Sequence, residues 1–276
     1  LFFALSPIFI YRMGWHPSLA GQWILLLTLY LSFTKKFDES LFFWILILIL
    51  SCLIHFYFTI TILIIFILLS FLNYLGEKKS FFNLIKNIVV VFVPLLLVMY
   101  LVGYFEIRTA DTMGLGFGSH RLNILSIFDP AVSAKNELWS SLLPDIKLST
   151  QEELEGFNYL GLGQMLMILL GIILFLKNKN KEMLQFLKNN KNFKNFFWIS
   201  LILTLIALSN KISIGSYTLI EIPLNKFLYA ASSLIRSSGR LFWIVNYFLV
   251  FLSLLIIFRS LNIKKSLLAI VVLLTI

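Results

Sequence analysis

Two arginines four residues apart, Arg236 and Arg240, enclose Ser237, Ser238 and Gly239. At that spacing two guanidinium forks, with hydroxyls and a flexible glycine between them, suit a phosphate or pyrophosphate group. Basic residues beside an apolar run also serve as plain interface anchors. A second cluster, Gly14-Trp15-His16-Pro17-Ser18, sets a histidine before a proline suited to a first helical position, and Gln22 follows Ser18 by one turn. A third run, from Glu155 through Tyr159 to Gly163, leads a loop into an apolar segment. Glu155 offers a carboxylate for general-base work, metal ligation or a sugar hydroxyl, although a simple loop-to-helix junction explains the run equally well. In the fourth, glycines at 114, 116 and 118 precede His120 and Arg121, two contacts for an acceptor or a phosphate. These glycines lack the surrounding βαβ unit of a dinucleotide fingerprint. Asp129 before Pro130 reads as a helix cap, and His55 as a polar cap at a hairpin. There is no metal-binding histidine pair, no Walker loop and no Gly-x-Ser-x-Gly elbow, and no metal ligand is assigned.

The elements that must carry these residues follow from composition. Of 276 residues 59% are hydrophobic and 13% charged, with a mean hydropathy of +0.92, beyond what the core of an ordinary soluble domain absorbs. Runs such as 41–75 and 88–105 reach the ~20 residues that a helix needs to cross a bilayer. Barrel strands would alternate apolar and polar residues, and these runs are apolar on every side. The expected fold is therefore an all-α polytopic transmembrane bundle, a single domain over 1–276. It has about nine spans, near 1–11, 18–34, 40–56, 59–75, 88–105, 160–176, 196–210, 241–258 and 266–276. The first and last end inside apolar runs, so the chain reads as a fragment. Cys52 is the single cysteine, which leaves no intrachain disulfide.

Alternating the spans divides the loops into two sets. Loops 35–39, 76–87, 177–195 and 259–265 hold 14 Lys/Arg and 4 Asp/Glu, whereas 12–17, 106–159 and 211–240 hold 9 of each. The positive-inside rule places the Lys-rich set in the cytoplasm. The net charge of +10 then reports topology and anionic lipid rather than nucleic acid. Within 177–195 the residues Met183, Leu184, Phe186 and Leu187 lie among lysines, the pattern of a short helix on the inner leaflet. Loop 106–159 is far longer than a connector needs. Loop 211–240 carries an amphipathic helical spacing from Pro223 to Ile235, expected on the outer membrane surface.

No Asp, Glu, Lys or Arg falls near the middle of an expected span, which disfavours ion-coupled pumps and puts the polar groups at outer helix ends. The motifs Gly-Trp-His-Pro-Ser-Leu at 14–19, Glu-Gly-Phe-Asn-Tyr-Leu-Gly at 155–161 and Arg-Ser-Ser-Gly-Arg-Leu-Phe-Trp at 236–243 resemble those of an uncharacterised family of bacterial inner-membrane proteins. That family is similar to the GT-C class of polyprenyl-phosphate-dependent glycosyltransferases. The resemblance implies sugar transfer from a polyprenyl-phosphate-linked donor to a glycan acceptor of the cell envelope. Arg236 and Arg240 would be the donor-phosphate contacts, and His16, Gln22, His120, Arg121 and Tyr159 acceptor or outer-face residues. The acidic catalytic residue of that class sits in a first outer loop, expected upstream of Leu1, with Glu155 and His16 as substitutes in this chain. No cofactor follows from the residues themselves; a divalent cation is one that such a reaction could use. The alternatives are a flippase for lipid-linked oligosaccharides, which needs a polar path lined by groups such as Gln164 and Asn246, and a non-catalytic envelope-assembly protein.

Overall fold

The structure, a computed structural model, describes all residues except 35–36, 78–79, 107–116, 119, 132–137, 150–155, 178–180, 234 and 276. The described chain is mostly helical. Its helices are α1 (Pro7–Trp15), α2 (Trp23–Thr34), α3 (Leu41–Ile54), α4 (Phe56–Glu77), α5 (Phe81–Leu101), α6 (Leu162–Lys177), α7 (Lys181–Asn189), α8 (Lys191–Leu208), α9 (Lys226–Ser233), α10 (Trp243–Ser260) and α11 (Ile263–Leu274). Four stretches are long and apolar enough to cross a membrane: Phe56–Gly76, Phe81–Leu101, Lys191–Leu208 and Ser238–Ser260. The helices Leu41–Ile54 and Leu162–Lys177 are apolar but shorter.

The stretch holding α10 is the axis of the bundle, with 67% of its apolar window buried against 11% for α5. Small residues let α6 approach it, since a Cβ on Gly171 would lie only 3.2 Å from that of Ser253. Phe33 of α2 meets Phe193 and Phe196 of α8 and Phe248 and Phe251 of α10, at centroid distances from 4.7 to 6.1 Å. Polar side chains inside the helices bond back one turn, as Thr28 does to the Ile24 carbonyl and Ser253 to that of Leu249. Such bonding satisfies hydroxyls where no water is available.

Several features differ from the sequence reading. The break between α3 and α4 is a single residue, His55, so no connector separates the spans expected at 40–56 and 59–75. The fold is also not purely α-helical, because Lys211–Ile214 (β1) and Tyr217–Glu221 (β2) pair antiparallel. Residues 211–221 alternate polar and apolar around Gly215, whose φ of 55° favours a residue without Cβ. Asn123 clasps that turn, donating to the Gly215 carbonyl at 2.8 Å and accepting its N–H at 2.9 Å. The expected amphipathic helix shrinks to the eight residues of α9. The amphipathic α7 does form, but it buries Met183 and sets Phe186 against Phe193 and under Arg259, so its apolar side faces the bundle.

At one end of the bundle three chain segments meet at backbone contact. Gly239 donates to the His120 carbonyl at 3.1 Å, and Leu122 donates to that of Ala207 at 2.8 Å. A Cβ on Gly156 would lie 2.6 Å from the Arg121 carbonyl oxygen, and one on Gly239 would lie 3.0 Å from the Gly156 Cα. Asn158 ties the junction by donating to the carbonyls of both Gly156 and Gly239. Gly156→Ala is expected to destabilise the protein by about 1–3 kcal/mol through overpacking against backbone. Gly14→Ala, whose Cβ would meet nothing within 4 Å, should leave stability unchanged or slightly raised. Thermal melting of both variants in detergent checks the contrast.

Candidate functional site

His55 ends α3 and begins α4. Its backbone is extended (φ −167°, ψ 134°), and its carbonyl accepts the Phe58 N–H at 3.0 Å. Its Nδ1 accepts the Tyr57 N–H at 3.2 Å, so the imidazole caps an orphan donor of the helix N-terminus as an Asn or Ser oxygen would. The Tyr57 ring lies alongside the imidazole with centroids 5.5 Å apart. The Tyr57 hydroxyl oxygen accepts the Ser237 N–H at 2.7 Å, which fixes the turn Ser238–Phe242 at the head of α10. From that turn the Arg240 guanidinium sits 4.7 Å over the Tyr57 ring, a cation–π contact of ~0.5–2 kcal/mol.

These residues line a cavity of about 330 Å³, together with His16, Leu19, His120 and Arg236. The size falls at the lower end of the ~300–1,000 Å³ of small-molecule sites. All three histidines of the chain face this one space. The N-terminal ends of α4 and of the α10 segment meet there as well, and both carry positive partial charge. No carboxylate is among the described lining residues. Ser237 is buried, and its Oγ has no hydrogen-bond partner among the described residues. Arg12 adds charge nearby, buried in α1 with its guanidinium 4.8 Å from the Tyr11 ring centroid and 5.6 Å from that of Trp243. Burial lowers the His55 pKa to about 4, with Arg240, His16 and Arg12 adding repulsion. A positively charged, partly desolvated pocket with a buried hydroxyl and two helix N-termini is built to take an anion.

Of the residues singled out by sequence, His16, His120, Arg236 and Arg240 share this cavity. Three others do not line it. Gln22 is fully buried, donating to the Ile8 carbonyl at 3.1 Å and accepting from Tyr247. Arg121 is buried and donates to the Gly118 carbonyl and to Ser149 and Ser213, at 2.6 and 2.7 Å for the serines; it pins the hairpin to the loop. Tyr159 lines a separate cavity of about 180 Å³ with Trp139 and Ser140. Burial there pushes its phenol up, against the pull of hydrogen bonds to Ser140 and the Leu162 backbone. Glu155 and the glycines at 114 and 116 lie outside the described residues. Asp129 caps a turn, accepting N–H bonds from Ala131 and Ile146 at 3.1 and 3.3 Å, and burial raises its carboxyl. Tyr57 and the cavity-facing placement of His55 were missed by sequence reasoning, whereas Ser237 was marked only as one of the hydroxyls between the two arginines. A usable signal existed for two of the histidines, since His16 and His55 each stand at a helix break. Among the described residues no group of three or more His, Cys, Asp or Glu is placed to hold a metal ion.

Fold and cavity together define a helical protein with membrane-length apolar helices and an anion-suited pocket at one end of the bundle. The chain belongs to the family described as a domain of unknown function (DUF6311), which matches residues 1–276. No curated protein matches the chain, and no solved structure does.

Neutral His55 gives the fold a pH signature. The unfolded chain takes up that proton near 6.5 and the folded one only near 4. Between those values the unfolded state binds more protons, and stability falls as pH falls. Melting in detergent from about pH 7 to about pH 4 should show this decline, with a shallower slope in His55→Ser.

Proposed function

We propose that this chain belongs to a GT-C-like membrane glycosyltransferase whose cavity receives the phosphate of a polyprenyl-linked sugar. The observation that carries the reading is the convergence of Arg236, Arg240 and three histidines on one cavity with no carboxylate in its described lining. Arg240 is buried and oriented by Tyr57, whereas Arg236 is exposed at the rim. That difference suits a fixed contact to phosphate oxygens and an outer arm that closes over them. In the reaction an acceptor hydroxyl oxygen attacks the anomeric carbon, and the bond from that carbon to the phosphate oxygen breaks. The phosphate leaves with the electron pair, and the acceptor proton passes to a base. The arginines would stabilise the charge growing on the departing phosphate. The reading assigns the base to an acidic residue outside the described lining.

In the same proposal the nine described helices other than α7 and α9 cross or enter a bacterial inner membrane, with the Lys-rich loops cytoplasmic and the cavity on the opposite, outer face. Described residues in or beside three of those loops lie together, which supports it: Asn192 donates to the Phe33 carbonyl at 3.2 Å, and Arg259 lies over Phe186. A flippase would need a polar path between leaflets, and the residues suited to line one are buried with their amide nitrogens taken. Gln164 donates to the Phe2 carbonyl at 2.8 Å, and Asn246 donates to Asn158 at 3.4 Å.

Replacing Arg236 and Arg240 together with alanine in the full-length protein should abolish glycan transfer while membrane insertion persists. Loss of two charge-assisted contacts, each about 1.5–3 kcal/mol, predicts at least a hundredfold fall in rate. Transfer at the wild-type rate overturns the phosphate assignment.

A further inference from the structure

We propose that His55 contacts the ligand as a neutral imidazole, donating its Nε2–H to an anionic oxygen while Nδ1 stays bound to the backbone of α4. This rests on the reading of the cavity as an anion site, and it gives one residue a defined chemical state there. A histidine at a helix cap ordinarily needs only its acceptor nitrogen. Here the acceptor is committed, because the Tyr57 N–H points at Nδ1 from 3.2 Å. In a neutral ring the proton must then sit on Nε2, the tautomer being assigned by the hydrogen-bond network. Protonating Nδ1 would set its new N–H against the Tyr57 N–H and expose an orphan donor at the start of a 22-residue helix.

The charged groups around the ring act in the same direction. Arg240 approaches from the turn before α10, Arg12 from α1, and His16 from the turn after α1; each disfavours a further positive charge on His55. His120 and Arg236 line the same cavity from the long loop and from the segment after α9. Burial and these neighbours keep the ring uncharged to about pH 4. The ring itself is held on two sides, by Tyr57 and by the edge of Phe58 at 6.3 Å. A fixed neutral N–H in a cationic pocket serves an anion well, since it adds a directed bond without adding charge that must be desolvated.

The test uses full-length protein in detergent micelles, with histidine imidazoles labelled with nitrogen-15 and His55 assigned by substitution. The probes are a short-chain polyprenyl phosphate and inorganic pyrophosphate. The expected spectrum is an Nε2–H tautomer for His55, unprotonated from about pH 8 to about pH 5, with the Nε2 resonance moving on addition of probe. Movement with both probes assigns recognition to the phosphate group alone, and movement with the lipid only shows that the chain is needed to deliver it; either supports the donor role. His55→Ser keeps an acceptor for the Tyr57 N–H, so its melting temperature should match the wild type while probe affinity falls about tenfold or more. His55→Gln, which carries an N–H donor, should bind within about threefold of wild type. An Nδ1–H tautomer, protonation near the ordinary histidine value, or wild-type affinity in His55→Ser overturns the proposal and leaves the anion site standing. Failure of the wild type to bind either probe overturns both.

Discussion

A guanidinium taken out of water must find compensation nearby, and at Arg240 part of it comes from the face of Tyr57. That stacking links elements far apart in sequence, because the same tyrosine accepts the Ser237 N–H and leans on His55. The head of α4, the head of the α10 segment and the cavity wall are therefore one assembly. Removing a buried charge from such a site, or leaving it without partners, costs several kcal/mol. An apolar bundle that retains Arg12 and Arg240 inside its end carries that burden for function or for specificity of packing.

The glycines and amides below the cavity hold this arrangement. Gly156 and Gly239 let two loops come into backbone contact with Arg121, and Asn158 bridges both. Trp243 donates to the Phe157 carbonyl at 3.2 Å while its ring lies near Arg12. The segments 156–158 and 237–239 thus meet the segment 120–122 in one junction. Arg121 there, like Gln22 in the bundle, ties chain to chain and does not line the cavity.

Much of this was legible from the chain. Apolar length gave the long helices, because it depends on local composition. Arg236, Arg240 and His16 could be selected by residue type beside helix ends, and His120 by its place after the glycines of the long loop. The destinations of Gln22, Arg121 and Tyr159 could not, since a polar residue near a helix end serves equally as ligand contact or internal tie. Which one it becomes depends on partners such as Tyr247, Ser213 and Ser140, 225, 92 and 19 residues away by position. The hairpin at 211–221 was readable from its alternation around Gly215, but that short signal lay inside a region rich in helix-spaced apolar residues. His55 was read as a cap, which it is; its second face became visible only when the turn before α10 brought Arg240 to the same cavity.

The central claim is that the cavity binds a phosphate group carried by a lipid. The most direct measurement is an experimental structure of the full-length protein with a short-chain polyprenyl phosphate bound. The account predicts phosphate density between Arg240, Ser237 and His55, with Arg236 folded over it. Phosphate density at another part of the protein, with this cavity empty under saturating ligand, would contradict it.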